Sequence, residues 1–485
     1  MKTLQNLFLF SSALLFLPIL CIPITRTAPS YVPDPNMRGT IGLLWSCTIT
    51  FGSCIWTAIH PNVVPVQRAR VRIYYKLMWM LLAVLFPEVV TWYAVAQLGQ
   101  AKQLHRSWQE YWGKKEKEGR EDKKKEYKEM KECLGKPGAF FAVMGGFVIK
   151  KGRESKFVTT VFPAGFKKLL DDGAFDELAN EGVLTEAHFC HRNIKDKGKA
   201  DSVSKALVSI QILWMVIQCI GRKVAGLPIT LLEIHVMIQI SYAVVVYFCW
   251  WDKPLDVAQP ITLPVDVTIL SKYGHDIEQE TTVFSRELCF ITERKNYNRC
   301  SEMFLRTVSE ITLVAKRKGE FWVLVMALIS SALHATAWKS HFPTSTERLL
   351  WRMSALGIGV VPSILSSILW ITDFEQHLQR RSYNLRFEEE HLARNFFDGI
   401  LKFLQDVANG NPMEQQPNGQ PQKSKGWPTW FPTWLRFLLL RGCILALLGY
   451  IASISYITVE SFISVRSLPE GAYSTPKWSN FFPHF

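Results

Sequence analysis

The chain has 485 residues, is 48% hydrophobic and 13% aromatic, and carries a formal net charge of +14. Its length admits either two or three soluble domains or one polytopic membrane body, and a mean hydropathy of +0.07 does not separate them. Distribution does: the apolar residues lie in blocks about as long as a bilayer is thick, with the charges between them, which excludes an ordinary soluble globule.

Taken in chain order, Leu4–Cys21 is an apolar core following Lys2, and Thr25-Arg26-Thr27-Ala28 is followed by Pro29. Residues 1–27 therefore read as a signal peptide or an uncleaved signal anchor. Residues 28–97 read as an N-terminal membrane segment of two apolar helices. The first, Thr40–Ile59, is rich in Gly, Ser, Thr and Cys and suits close helix packing. The second, Leu77–Gln97, carries Pro87-Glu88 at its centre, so it is expected to kink or to dip into the membrane and return.

Residues 98–204 form a charged soluble segment opening with Glu110–Glu132, dense in Lys and Glu. Glu110/Lys114, Glu116/Arg120 and Glu121/Lys125 stand four apart, as in a solvated helix. Residues 205–251 hold paired transmembrane helices, Ala206–Gly221 and Leu227–Trp251. Residues 252–320 form a second soluble segment, closing with an amphipathic helix that ends at Lys316-Arg317-Lys318. A further pair, Phe321–Trp338 and Met353–Ile371, occupies residues 321–371. Residues 372–434 combine a helical part at Phe387–Val407 with a Pro/Gly/Asn/Gln linker at Asn409–Gly426. Residues 435–485 hold the last transmembrane helix, Gly442–Val459, and a tail. The expected fold is thus an all-α polytopic membrane protein with about six or seven transmembrane helices and three large charged, mostly helical soluble segments.

Amphipathic rings prefer the headgroup level, and Trp79, Trp92, Trp250, Trp251, Trp338, Trp351, Trp430 and Trp434 suit that placement. The basic balance does not point to nucleic acid, because no recognition motif accompanies it. The partners it implies are anionic lipid headgroups beside the Lys/Arg clusters, with protein partners for the soluble segments. The ten cysteines form no disulfide framework and no C-x-x-C pair, and there is no N-x-S/T acceptor. Both features lean toward large loops facing the cytosol.

Basic residues near span ends give a conflicting orientation. Arg68, Arg70, Arg72 and Lys76 place residues 60–76 inside, and seven crossings would then put every long loop outside. Yet Lys195, Lys197, Lys199 and Lys205, then Lys316-Arg317-Lys318, then Arg436 and Arg441 flank spans on the long-loop side. Both sets agree if Leu77–Gln97 does not cross. The long loops are then cytosolic, at the cost of Arg222 and Lys223 outside.

A charged or imidazole side chain inside a span is costly and marks a candidate polar site. Glu88, Glu233, His235 and His334 qualify. His235, Gln239 and Tyr242 form one polar stripe, and Gln211, Trp214 and Gln218 form another on the preceding helix. The stripes either line a path or supply interhelical hydrogen bonds. His188, Cys190 and His191 lack the spacing of a structural zinc site, and no phosphate-binding, zinc-protease or nucleophile-elbow motif is present. The residues therefore imply no cofactor, no metal and no catalytic group.

Several motifs together resemble a widespread group of uncharacterised fungal multi-pass membrane proteins. They are Arg38-Gly39-Thr40, Leu44-Trp45-Ser46-Cys47, Trp56, His60-Pro61-Asn62, Lys76, Trp79 and Pro87-Glu88. Farther on come Met144-Gly145-Gly146-Phe147, Leu227-Pro228-Ile229-Thr230, Leu232-Glu233, and Trp250-Trp251 with Lys253-Pro254-Leu255-Asp256-Val257. The resemblance implies a membrane setting and a fungal origin, and the group has no established activity, substrate or cofactor. The function expected is a non-enzymatic membrane sensor or scaffold in the secretory pathway or plasma membrane. The alternative is a transporter or channel with a polar path between helices 206–221 and 227–251.

Overall fold

The structure is a computed structural model that describes residues 38–63, 69–150, 199–255, 317–383 and 433–475. It also describes the short stretches 31–33, 158–161, most of 163–176, 189, 257 and 260–263. The leader at 1–27, the helix expected at 387–407, the linker at 409–426 and the cluster at His188, Cys190 and His191 lie outside the described residues.

Helix α1 spans Thr40–Ala58, α2 Ala69–Leu85 and α3 Pro87–Glu118. Short helices α4 (Glu121–Cys133), α5 (Gly135–Val143) and α6 (Pro163–Asp171) pack beside the outer half of α3, and α7 (Lys199–Val224) and α8 (Leu231–Cys249) follow. The remaining helices are α9 (Arg317–Ala335), α10 (Ser345–Tyr383) and α11 (Thr433–Ile463). Among the described residues, six helices, within α1, α7, α8, α9, α10 and α11, are long and apolar enough to cross a membrane. Their outer faces carry large apolar side chains, such as Leu207, Ile210 and Leu213 on α7, as lipid-facing helices do.

Three short strands depart from the all-α expectation. β1 (Phe147–Lys150), β2 (Val158–Thr160) and β3 (Ile261–Leu263) form a sheet in the order β2-β1-β3. β1 pairs antiparallel with β2 and parallel with β3, with Val148 opposite Thr160 and Phe147 opposite Ile261. Branched and aromatic residues suit this small pleated patch. Gly145-Gly146 turns α5 into β1: Gly145 has φ +75°, a conformation a Cβ disfavours. Gly146 lies against the Phe141 ring, where a Cβ would come within 2.4 Å.

The outer half of α3 is held by aromatic packing. Trp108 is fully buried among Trp112, Phe166, Phe175 and Phe189, and its indole N–H donates to Met130 O at 2.8 Å. The charged run breaks at Gly119-Arg120 instead of continuing as one helix. Glu121 pairs with Lys124, Lys125 with Glu129 at 3.9 Å, and Lys131 reaches across to Glu116 at 2.9 Å.

Helix α8 is apolar all round, and such a helix belongs in the middle of a bundle. Leu231, Ile234, Ile238 and Tyr242, at helical spacing, pack in one core with residues of α9, α10 and α11. Leu232, Val236, Ile240 and Ala243 face a second core built with α1, α3 and α7.

The segment Leu77–Gln97 is two helices, α2 and α3, bent by 116° at Phe86. Lys76 sits over the Trp56 ring at 4.3 Å, near the end of α1, and Trp79 stacks on Tyr93 at 5.0 Å. Farther along α3, Gln97 Nε2 donates to Asn62 Oδ1 at 3.0 Å, just past α1. The tip of the bend lies deep, with Val84 O beside Gln239 halfway along α8 and Phe86 stacked on Tyr450 of α11. Both outer ends of the pair thus lie at the end of the bundle where α1 and α8 finish.

That end also holds the sheet and the packing around Trp108. Val63 N donates to Met144 O at 3.0 Å, and Lys253 Nζ reaches Asn62 and Gln97. The opposite end gathers the starts of α1, α8 and α10 with the finishes of α7, α9 and α11. Arg38 pairs there with Glu233, Arg466 with Glu347, and Trp351 donates to His334 O. The three long segments, 98–204, 252–320 and 372–434, consequently leave from one end.

Truncating a fully buried Trp costs about 3–5 kcal/mol. Trp108→Ala is therefore expected to open residues 98–190 to protease while the apolar helices stay protected. Limited proteolysis of membrane preparations checks this, with cleavage no faster than in the unaltered chain as the contrary result.

Candidate functional site

Proline lacks a backbone N–H and is favoured at the first position of a helix. Pro87 takes that place in α3, with Phe86 non-helical at φ −136°, ψ 57°. The break deprives the last carbonyls of α2 of helical partners, and a side chain of α8 takes one of them: Gln239 Nε2 donates to Val84 O at 3.3 Å. Within α3, Thr91 Oγ1 donates to Pro87 O at 2.7 Å.

Glu88, in the first turn of α3, is 2% exposed. Its Oε2 accepts from the Tyr450 hydroxyl of α11 at 2.8 Å. Ser330 of α9 and Tyr242 of α8 adjoin the carboxyl, the Tyr242 hydroxyl donates to Met326 O at 2.9 Å, and Glu88 Oε1 is buried without a hydrogen-bond partner. One carboxyl thus gathers α3, α8, α9 and α11.

Ser330 leads on to the imidazoles. Its carbonyl accepts from His334 Nδ1 at 2.8 Å, His334 Nε2 lies 3.2 Å from His235 Nδ1, and His235 Nε2 lies 3.2 Å from Thr458 Oγ1. Both rings are fully buried. Trp351 covers His334 at 6.2 Å between ring centres, and Phe51 approaches His235 at 6.1 Å.

Of the seven candidates, Glu88, His235, Gln239 and His334 converge on this centre. The other three lie elsewhere. Glu233 caps α8: its backbone N–H donates to Thr230 Oγ1 at 3.2 Å, and its Oε2 accepts from Thr230 N at 2.9 Å. That reciprocal pair satisfies two otherwise orphaned donors. Glu233 Oε1 also meets Arg38 at 2.6 Å. Burial opposes the Arg38 charge, and the adjacent carboxylate more than offsets it, holding its pKa above the ordinary value.

Gln211 turns to α1, where its Oε1 accepts from Ser53 Oγ at 3.2 Å and its Nε2 donates to Thr50 Oγ1 at 3.1 Å. Gln218 is half-buried on α7. Gln211 and the α8 stripe thus bond to different helices, so a path facing between α7 and α8 is not what these side chains form. Two cavities lie in the bundle. One of about 20 Å³ is bordered by Pro87, Thr91, Gln239 and Tyr242, and the other, of about 30 Å³, by Thr230, His341 and Ser464. Each has room for one or two waters. Among the described residues, no group of three His, Cys, Asp or Glu is placed to hold a metal.

Sequence reasoning missed the partners. Ser330 and Thr458 look like ordinary small residues of apolar helices, which commonly bond their own helix. Arg222 was read as a surface charge on the outer side. Instead it is buried, and its guanidinium donates to the carbonyls of Pro228, Gly471, Ala472 and Ser474. Lys253 is buried against Asn62, Gln97 and the Trp250 ring, so the His60-Pro61-Asn62 and Trp250–Val257 motifs meet in space.

Removing one partner of a buried ion pair leaves an uncompensated charge and costs about 3–5 kcal/mol. Arg38→Met is therefore expected to destabilise the chain by about that amount, and Arg38→Met with Glu233→Gln by less. Thermal unfolding in detergent measures both, and a double variant as damaged as the sum of the singles would contradict the pairing.

No curated protein and no solved structure matches the chain. A family model described as "Family of unknown function (DUF8562)" matches residues 10–271 and 429–485. These ranges hold the break at Pro87, the α1–α8 core and the last apolar helix, and they cover most of the sequence. The chain belongs to this family of unknown function.

Proposed function

We propose that the chain is a multi-pass integral membrane protein acting as a non-enzymatic sensor or scaffold, with six crossing helices and the α2–α3 pair dipping in from the cytosolic face. The observation that carries this reading is that all three long segments leave from one end of the bundle. The basic residues Arg70, Arg72 and Lys76, in the outer part of α2, lie at that same end. Basic residues flanking spans favour the cytosol, so every cluster of the sequence except Arg222-Lys223 then agrees. Arg222 is no exception in energetic terms, since four backbone carbonyls hold it.

On this reading the Lys/Arg clusters meet anionic headgroups and the soluble segments 98–204, 252–320 and 372–434 take protein partners. Residues 1–27 direct the chain into the secretory pathway, with that pathway or the plasma membrane as its location. A transporter has less support, because the cavity beside the break, of about 20 Å³, has room for about one water and Gln211 does not share a path with His235 and Gln239.

Glycosylation acceptors inserted at positions 120 and 420, with a third appended after Phe485, test the orientation. The expected result is a glycan at the appended site alone. Glycans at both 120 and 420 would reverse the orientation.

A further inference from the structure

The hydrogen bonds through His235 and His334 form a line that can be counted. Thr458 Oγ1 lies 2.8 Å from Ile454 O and 3.2 Å from His235 Nε2. His235 Nδ1 lies 3.2 Å from His334 Nε2, and His334 Nδ1 lies 2.8 Å from Ser330 O. There are four links, and both ends are backbone carbonyls, which only accept.

Four links need four protons. Thr458 supplies one hydroxyl proton and each neutral imidazole supplies one N–H, so the neutral line is one proton short. One of the four links must then stay empty: Thr458 turns from Ile454 O toward His235, for example, or the two imidazole lone pairs face each other across 3.2 Å. One added proton completes every link: His334 donates to Ser330 O and to His235 Nδ1, His235 Nε2–H donates to Thr458, and Thr458 donates to Ile454 O. Moving that proton across the His–His link transfers the charge between the rings and breaks nothing else.

We propose that His235 and His334 together bind one proton, shared across the link between them. This rests on the sensor reading and names its ligand. The step is plain proton uptake: one N–H bond forms, and water or a carboxylic acid gives up the proton.

A buried cation needs a counter-charge, and the buried acid at hand is Glu88, which adjoins Ser330, the residue whose carbonyl takes the His334 N–H. The other elements packed here present the Phe51 ring from α1, the Trp351 ring from α10, and Thr458 from α11. Other titratable groups on these helices include Tyr450, which donates to Glu88, Tyr242, which donates to Met326 O, Glu233, paired with Arg38, Glu460, held by Tyr456, and Cys47 and Cys54 on α1. Proton uptake draws α8, α9 and α11 together by the completed line, at the depth where α2 and α3 meet.

The test is solid-state nitrogen NMR of the full chain, labelled with ¹⁵N-histidine and held in phosphatidylcholine bilayers, between about pH 8 and about pH 5, the range in which imidazoles switch. Difference spectra against His235→Asn and His334→Asn assign the two rings. The expected result is one proton gained per two rings, with both rings changing together, and the uptake displaced to lower pH in Glu88→Gln. Should the histidine variants fail to fold, Thr458→Val supplies the assignment by perturbing the His235 Nε2 signal; it leaves two links for two N–H protons, so proton uptake is expected to be displaced to lower pH. Two rings that titrate independently, or that stay neutral at about pH 5 in folded protein, would overturn the proposal. Those outcomes leave the sensor reading and its orientation intact, whereas glycans at 120 and 420 overturn the orientation without altering the proton count.

Discussion

A helix that breaks inside an apolar slab must have its freed backbone groups taken up by other protein groups, because hydrocarbon offers none. The break at Phe86-Pro87 meets that demand by drawing in its neighbours. Gln239 of α8 takes Val84 O, and Tyr450 of α11 donates to the Glu88 carboxyl beside the break. Each bond is modest on its own, about 1 kcal/mol or less between membrane helices. Together they fix the depth at which α2 ends and α3 begins, and hence which end of the bundle the long segments leave from.

Helix α8 makes this arrangement possible. Because it is apolar on every face, it is buried between two cores, and its few polar groups meet a different neighbour at each level. Glu233 meets Arg38 at the start, His235 meets His334 a turn lower, and Gln239 and Tyr242 meet the break near the middle. The capping box at Thr230 and Glu233 holds the start of the helix; such caps are worth about 1 kcal/mol. Arg222 ties the α7–α8 connection to the C-terminal segment 471–474. The polar residues therefore pin a sequence of levels along one central helix.

Much of this was legible in the sequence. Block length and charge spacing located the apolar helices within a few residues, since composition and periodicity report on burial directly. Pro87-Glu88 marked the break because proline fixes its own backbone and gives up a donor. What could not be read was pairing. A polar stripe shows that a helix has a polar face, not which neighbour it meets, so Gln211 gave no sign that its partners were Thr50 and Ser53 rather than α8. Ser330 and Thr458 carried no signal, because serine and threonine in apolar helices are usually satisfied locally. The small sheet was hidden for another reason: β1 and β3 are separated by more than a hundred residues, and strands of four and three residues leave too short a pattern.

The central claim is that α2 and α3 enter and leave at the same face. Arg70→Cys and Gln103→Cys, both at exposed positions near the two outer ends, test it through labelling with a membrane-impermeant maleimide in sealed vesicles of one orientation. The expected result is that the two cysteines behave alike, both labelled or both protected until the membrane is opened. Labelling of one with protection of the other would mean that the pair crosses, and the shared face of the long segments would be lost with it.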